Sequence, residues 1–226
     1  EHNYFVFAGR YLEKWNLLNE LRERYPESLE LVTLDVGSDE SVHAAAEQIR
    51  AKTGSLDMII NVAAIPGKLT GSIFDELDFE DMLRCYNVTT LGGLRVVNAL
   101  IHELMSSFHK LVVNISSEAG SIGTCWRYEG FGYCMAKASV NMQAAIIHNS
   151  LHRQFNGQVI NVHPGGMQSH FMNNHGPDTP LSQLPPEQFL STELSAKNIF
   201  DLIMDQERFK SDHPAFVNYR GDKIPW

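Results

Sequence analysis

The chain has 226 residues, of which 43% are hydrophobic and 20% are charged, and this balance predicts one folded domain, over 1–226, rather than a disordered chain. Lysine and arginine number 18 against 27 aspartate and glutamate residues, and the resulting net charge of −9 disfavours nucleic acids and anionic membranes as partners. The apolar runs are shorter than the roughly 18 residues of a membrane span, and three cysteines without a Cys-x-x-Cys pair favour a reducing, cytoplasmic setting.

Short runs of β-branched and aromatic residues alternate with longer amphipathic patterns along the chain, which is the order of repeated βαβ units. The predicted strands are Tyr4–Ala8, Leu29–Val36, Asp57–Ala63, Lys110–Ser116, Gln158–His163 and Pro214–Tyr219. The predicted helices are Leu12–Tyr25, Asp39–Thr53, Phe79–Phe108, Phe131–Phe155 and Thr192–Gln206. Two of the strands are nearly continuous apolar runs, as expected when helices cover both faces of a parallel sheet. We therefore predict a doubly wound sheet in a three-layer α/β/α arrangement.

The segment 163–191 interrupts this alternation, because it is rich in proline and glycine. It follows the carboxyl end of a predicted strand, where open α/β sheets bind ligands, and loops of this length are either functional or disordered. We predict a substrate lid here, and a disordered surface excursion is the alternative. The three histidines His163, His170 and His175 have the spacing of neither a helical nor a hairpin ligand pair, so we predict no metal site.

A tyrosine and a lysine four residues apart open the helix predicted over Phe131–Phe155. Tyr133 and Lys137 then leave the same helix face and can act on one atom. An ammonium about 4 Å from a phenol would lower the phenol's pKa by up to about three units, toward the range of general acid–base catalysis. Tyrosine and lysine pairs of this spacing are also frequent on solvated helices. Ser116-Ser117 ends a predicted strand, where a hydroxyl can donate to a substrate oxygen, and the alternative is that the two serines begin a turn.

Several short motifs occur together in one order along the chain. They are Asn61-Val62-Ala63-Ala64, Asn87 within a long helix, Asn114-Ile115-Ser116-Ser117, Tyr133-x-x-x-Lys137 and Pro164-Gly165-Gly166. This set resembles the short-chain dehydrogenase/reductase family over nearly the whole chain. The closing residues 218–226 and the 16-residue step from Ser117 to Tyr133 are most similar to C-factor/sniffer-type carbonyl reductases. The resemblance implies a Rossmann-like fold.

The resemblance also implies a catalytic role for each of four residues. Tyr133 would donate the proton to a substrate carbonyl, and Lys137 would lower the phenol's pKa and bind the nicotinamide ribose. Ser117 would hold the substrate oxygen, and Asn87 would keep a water that links Lys137 to solvent. The implied activity is hydride transfer between NADP(H) and a small carbonyl or alcohol substrate. A non-catalytic dinucleotide-binding signalling protein is the alternative.

Further positions are implied to bind the cofactor. By resemblance, Asn61 and Ala63 would lie beside the ribose, Asp35 would lie near the adenine, and Pro164, Gly165 and Ser169 would surround the carboxamide. Arg10 follows the strand Tyr4–Ala8, where a basic residue would accept a 2′-phosphate, and it therefore predicts NADP over NAD. The alternative is a solvated arginine at the start of a helix.

Three departures from the family pattern qualify these expectations. The sequence has Asn-Val-Ala-Ala where the family usually has Asn-Asn-Ala-Gly, and His170 stands where aspartate is common. The Gly-rich turn and the first strand that should precede Tyr4–Ala8 are absent from the sequence, so we expect roughly 30 upstream residues to supply them. The resemblance further implies a homodimer or a homotetramer.

Overall fold

The computed structural model describes residues 4–12, 16–167 and 189–226. Within these residues the strands, all in parallel pairs, are β1 (Val6–Arg10), β2 (Leu29–Thr33), β3 (Met58–Asn61), β4 (Leu111–Ile115), β5 (Gln158–His163) and β6 (Ala215–Asn218). They form a two-stranded sheet, β1-β2, and a four-stranded sheet in the order β3-β4-β5-β6. The predicted parallel α/β fold is confirmed.

Helices connect the strands throughout the described chain. They are α1 (Leu17–Arg24), α2 (Asp39–Arg50), α3 (Phe79–Tyr86), a π-helical turn (Asn87–Leu91), α4 (Gly92–Ala99), α5 (Ile101–Met105), α6 (Phe131–Phe155) and α7 (Thr192–Met204). Short 3₁₀ turns occupy Glu118–Gly120 and Gln206–Phe209. The side chains of Ser38, Asp78 and Ser191 accept backbone N–H bonds at the starts of α2, α3 and α7, which fixes where these helices begin.

The hydrophobic core has two parts, one on each face of the sheet. On one face, side chains of α2, α4 and α6 pack on the strands, with Leu104, Val112 and Ala144 fully buried. On the other face, α7 packs its apolar stripe on β4 and β5 around Leu111 and Ile203. Helices therefore cover both faces, as the apolar strands predict. In the described ranges, no helix is long and apolar enough to cross a bilayer.

Most strands are shorter than predicted. The strand predicted over Leu29–Val36 ends at Thr33, because the next residues form a turn in which Asp35 Oδ1 accepts the Gly37 N–H at 2.8 Å. The first strand is displaced from Tyr4–Ala8 to Val6–Arg10, where it pairs in register with β2. Only β5 has the predicted bounds.

The prediction of a single helix over Phe79–Phe108 is wrong. A π-helical turn follows α3 at Asn87, and a second break at Leu100 separates α4 from α5. In the π-helical turn the Thr90 hydroxyl donates to the Ala136 carbonyl oxygen at 2.9 Å, so contacts with α6 compete with regular helical geometry. The helix predicted from Leu12 is described only from Leu17.

The two sheets share a core but are not hydrogen-bonded to each other within the described residues. Val32 of β2 and Ile59 of β3 lie in the same buried cluster. Yet Val6 of β1 is 48% exposed and Ile60 of β3 is 43% exposed, whereas the apolar residues 111–113 of β4 are buried. The doubly wound sheet is therefore divided between β1 and β3 in this part of the chain, which agrees with a sequence in which the expected first strand is absent.

Candidate active site

The start of α6 carries the predicted Tyr-x-x-x-Lys pair. Gly130 has a φ of +75°, a left-handed conformation that glycine adopts without strain, and the helix begins directly after it. Tyr133 and Lys137 therefore lie one turn apart near this end of the helix. The Lys137 Nζ is 5.7 Å from the centre of the Tyr133 ring.

Lys137 is a buried lysine with one backbone partner. Its side chain donates from Nζ to the Ile115 carbonyl oxygen at 2.7 Å, and the residue is 3% exposed. Burial lowers the pKa of Lys137 to about 8, because the charged form loses solvation. A Cys85 thiolate would oppose this effect by favouring the ammonium, but burial raises the pKa of that thiol and keeps it uncharged at neutral pH. At neutral pH the lysine still carries its proton.

Tyr133 has a pKa far from the one predicted. Burial raises the pKa of Tyr133 to about 12, and a hydrogen bond with the Ser117 side chain opposes that rise. The expectation that Lys137 brings this pKa toward neutrality is therefore wrong for the protein alone. The reason is that loss of solvation disfavours the phenolate more than neighbouring charges stabilise it. The phenol remains protonated at neutral pH.

Ser117 lies at the end of β4, where the chain turns into the 3₁₀ turn Glu118–Gly120. The residue is 8% exposed, and its hydroxyl accepts the Ala119 N–H at 3.1 Å. The same side chain forms the hydrogen bond with Tyr133. The structure thus brings together three of the four predicted catalytic residues, Ser117, Tyr133 and Lys137.

Asn87 opens the π-helical turn and is held by its neighbours. Its Nδ2 donates to the Gly37 carbonyl oxygen at 3.1 Å, and its Oδ1 accepts from Arg95 Nη2 at 2.7 Å. Arg95 Nη1 also donates to the Asn87 carbonyl oxygen. These bonds tie the helix to the loop that follows β2. The role of Asn87 in holding a water near Lys137 stays a prediction.

The predicted ribose contacts follow the carboxyl end of β3. Asn61 Nδ2 donates to Asn114 Oδ1 of β4 at 2.9 Å, so this side chain braces the neighbouring strand. Ala63 is exposed beyond the end of the strand. This placement leaves Ala63 accessible to a ligand at the sheet edge.

Asp35 and Arg10 lie at the carboxyl ends of the smaller sheet. The Asp35 carboxylate accepts from the Gly37 N–H, so one of its oxygens supports the local turn. Arg10 is the last residue of β1, and its Nη1 donates to Asn19 Oδ1 of α1 at 2.9 Å. The Arg10 guanidinium is thus held at the predicted end of the sheet.

The turn after β5 contains Pro164 and Gly165. The Pro164 carbonyl oxygen accepts from Ser195 Oγ of α7 at 2.7 Å. Gly165 has a φ of +84°, which strains any residue with a side chain, and a Cβ at this position would lie 2.6 Å from Leu190 Cδ1 and would displace that side chain. Ser169, like His170 and His175, lies outside the described residues, as does most of the predicted lid 163–191.

An ion pair beside the site was not predicted from the sequence. Arg127 donates from Nη1 and Nη2 to the two carboxylate oxygens of Glu118, at 3.1 Å and 2.5 Å. The Arg127 guanidinium also lies over the Trp126 ring, at 4.5 Å from its centre. The pair fixes the loop 121–130 against the turn that carries Ser117. Its only sequence signal is the position of Glu118 directly after Ser117.

Comparison with known proteins agrees with this geometry. The sequence profile described as short chain dehydrogenase matches residues 2–180. The chain belongs to this family. This short-chain dehydrogenase is 27% identical to the C-signal protein of Myxococcus xanthus over 175 residues, which covers 77% of the chain and 95% of that protein.

Solved structures agree with the fold of this short-chain dehydrogenase. An NADPH-bound carbonyl reductase from chicken fatty liver matches with a TM-score of 0.81 at 25% identity, over 98% of the chain and 88% of that protein. The carbonyl reductase Sniffer of D. melanogaster has the same TM-score and coverages at 19% identity. The resemblance stated from the motifs is confirmed.

Proposed function

We propose that this short-chain dehydrogenase reduces small carbonyl compounds with NADPH. The observation that carries the proposal is the grouping of Ser117, Tyr133 and Lys137 at the carboxyl end of β4 and the start of α6. Functional groups of open α/β sheets lie at this edge. The similarity of the chain to the NADPH-bound carbonyl reductase from chicken supports the same activity and the same cofactor.

The protonated state of Tyr133 suits the donation of a proton to a substrate carbonyl. A phenol whose pKa is raised to about 12 is protonated at neutral pH and can donate its proton to an oxygen that gains negative charge. The Ser117 hydroxyl would donate a hydrogen bond to the same oxygen. NADPH would supply the hydride. The residues of the chain then orient the carbonyl and deliver the proton.

The described residues fit a phosphorylated dinucleotide in two places. The guanidinium of Arg10 at the end of β1 suits a 2′-phosphate, which an acidic residue there would repel. The Lys137 ammonium and the exposed Ala63 suit the nicotinamide ribose, and Asp35 would lie near the adenine. The segment 163–191, with Ser169, would close over the substrate. The free thiols of Cys85, Cys125 and Cys134 support a reducing, cytoplasmic setting.

A further strand would complete the sheet. The half-exposed apolar residues Val6 and Ile60 belong to strands that are each paired on one side only in the described chain. Open strand edges and exposed apolar side chains are costly in an α/β domain. We propose that a strand from upstream residues pairs with both β1 and β3 and leads into a Gly-rich turn for the pyrophosphate.

Exposed apolar side chains on α3 and α6 support a homodimer or a homotetramer. Phe79 and Leu83 of α3 and Met135, Met142 and Ile146 of α6 are each at least half exposed. Apolar patches of this kind are typical of interfaces between subunits. A stable interface should bury more than about 1,000 Å². The occupant we propose is the same surface of a second copy.

The test of the proposed activity is Tyr133→Phe in the full-length protein, assayed by NADPH absorbance with a panel of small aldehydes and ketones. Removal of the phenolic proton should lower kcat by about 100-fold or more, whereas NADPH binding, measured by fluorescence, should be retained. Tyr25→Phe, at the exposed end of α1, is the matched control and should leave kcat unchanged. Near-wild-type kcat in Tyr133→Phe would overturn the assignment, and a panel without any reduced compound would favour the non-catalytic alternative.

A further inference from the structure

Four asparagine side chains form a chain of hydrogen bonds across the larger sheet and onto α6. Asn61, Asn114 and Asn161 occupy paired positions on β3, β4 and β5. Asn61 Nδ2 donates to Asn114 Oδ1 at 2.9 Å, and Asn114 Nδ2 donates to Asn161 Oδ1 at 2.8 Å. Asn161 Nδ2 then donates to Oδ1 of Asn141 on α6 at 2.9 Å. Every amide donates in the same direction.

The last asparagine of this row of hydrogen bonds, Asn141, fixes the direction in which the amides donate. Asn141 Nδ2 donates to the Gly120 carbonyl oxygen at 3.1 Å, and a carbonyl oxygen can only accept. Asn141 Oδ1 must then face the donors, which are Asn161 Nδ2 and the Ser116 hydroxyl at 2.7 Å. Asn114, Asn161 and Asn141 are at most 4% exposed. An amide buried to this extent is costly unless it is fully paired.

The Asn141 amide holds the turn that contains Ser117. It binds the turn at both ends, through the Ser116 hydroxyl and the Gly120 carbonyl oxygen. A Cβ at Gly120 would lie 2.5 Å from the carbonyl carbon of Lys137, so the turn lies directly against the backbone of α6. Lys137, one helical turn before Asn141, binds the Ile115 carbonyl oxygen at the end of the same strand.

We propose that Asn141 is a positioning residue for Ser117. By fixing the turn against α6, it sets the place of the Ser117 hydroxyl relative to Tyr133 and Lys137. Asn161, the last of the three asparagines on the strands, donates to Asn141 Oδ1 and so helps to hold the Asn141 side chain in place. The proposal rests on the proposed function, because Ser117 is the group that would bind the carbonyl oxygen. Asn141 itself is only 4% exposed, so it would act through the turn and not directly on a substrate.

The test is a double-mutant cycle with Asn141→Leu and Ser117→Ala, measured as kcat for a carbonyl substrate. A displacement of about 1 Å at a reacting group costs about 100-fold in rate, so each single variant should lose about that much. If Asn141 acts through Ser117, the double variant should lose little more than Ser117→Ala alone. Asn149→Leu makes the same change at an exposed position of α6 and should leave kcat unchanged.

Two further measurements separate positioning from general destabilisation. NADPH affinity should stay within about twofold of wild type in Asn141→Leu, because the turn is displaced while the cofactor contacts remain. Losses of kcat that simply multiply in the double variant would overturn the proposal, since independent effects are additive in free energy. Should Asn141→Leu fail to fold, Asn141→Ser, which keeps a hydroxyl for hydrogen bonding, replaces it in the same cycle.

The asparagine chain can also be measured without activity. In protein labelled with ¹⁵N-asparagine, the side-chain amide protons of Asn114 and Asn161 should exchange slowly in wild type and in Asn149→Leu. In Asn141→Leu they should lose that protection. Unchanged protection of these amides in Asn141→Leu would contradict the hydrogen-bonded row of asparagines, whether or not the variant is active. A wild-type protein that reduces no carbonyl compound would instead overturn the proposed function and, with it, the catalytic part of this inference.

Discussion

Replacement of Lys137 by methionine should make the protein more stable at neutral pH and inactive. Burial lowers the pKa of Lys137 from its usual 10.5 to about 8. At about 1.4 kcal/mol per pKa unit, the buried ammonium costs the folded state about 3 kcal/mol at pH 7. Lys137→Met removes this cost and keeps most of the volume. It also leaves the Ile115 carbonyl oxygen without its donor, which costs about 1–3 kcal/mol.

The dependence on pH separates these two effects. Because the pKa of Lys137 is lower in the folded state, the unfolded chain binds more protons between about pH 8 and pH 10.5, and the wild type gains stability as the pH rises through that window. The lost hydrogen bond contributes equally at every pH. The stability of Lys137→Met relative to wild type should therefore fall by about 2.5 kcal/mol between pH 7 and pH 10.

The assay is urea unfolding followed by tryptophan fluorescence at pH 7, 8, 9 and 10, since the chain has 3 tryptophans. Lys197→Met, on the exposed side of α7, is the control, and its stability relative to wild type should stay constant over the same range. A pH-independent difference for Lys137→Met would refute the reasoning that burial, rather than a charged partner, determines the state of this lysine.

Three other changes test separate parts of the structure. Arg10→Ala should reduce the preference for NADPH over NADH at least about tenfold, measured as the ratio of kcat/KM values; an unchanged ratio would contradict the 2′-phosphate assignment. Burial lowers the pKa of His148, so the unfolding free energy should decrease as the pH falls below 6.5, by at most about 1.4 kcal/mol per pH unit. In urea titrations, the stability of His148→Gln should not show this dependence on pH. Met142→Asp, on the exposed face of α6, should yield a monomer by light scattering where the wild type is oligomeric, and a monomeric wild type would count against the proposed interface.

Much of the fold could be predicted from local sequence. The alternation of apolar runs and amphipathic patterns gave the order of strands and helices, because each element must bury one face. Side chains such as Ser38 and Asp78 mark helix starts because they satisfy free N–H groups. The four-residue spacing of Tyr133 and Lys137 was sufficient to place them on one face of α6.

The sequence could not predict the long-range contacts. The π-helical turn at Asn87 depends on contacts with α6, whose residues are distant in the sequence. Asn61 and Asn141 are 80 positions apart in the chain, and only the register of β3, β4 and β5 joins them through hydrogen bonds. No local pattern carries that information.

The protonation states of the site were also decided by the tertiary structure. The sequence alone indicated that an ammonium and a phenol lie close together, and on that basis predicted a lowered phenol pKa. In the folded protein, burial raises the pKa of Tyr133 to about 12 and lowers that of Lys137 to about 8. The physical reason is that loss of solvation depends on every element packed around a group, whereas the sequence specifies only its neighbours along the helix.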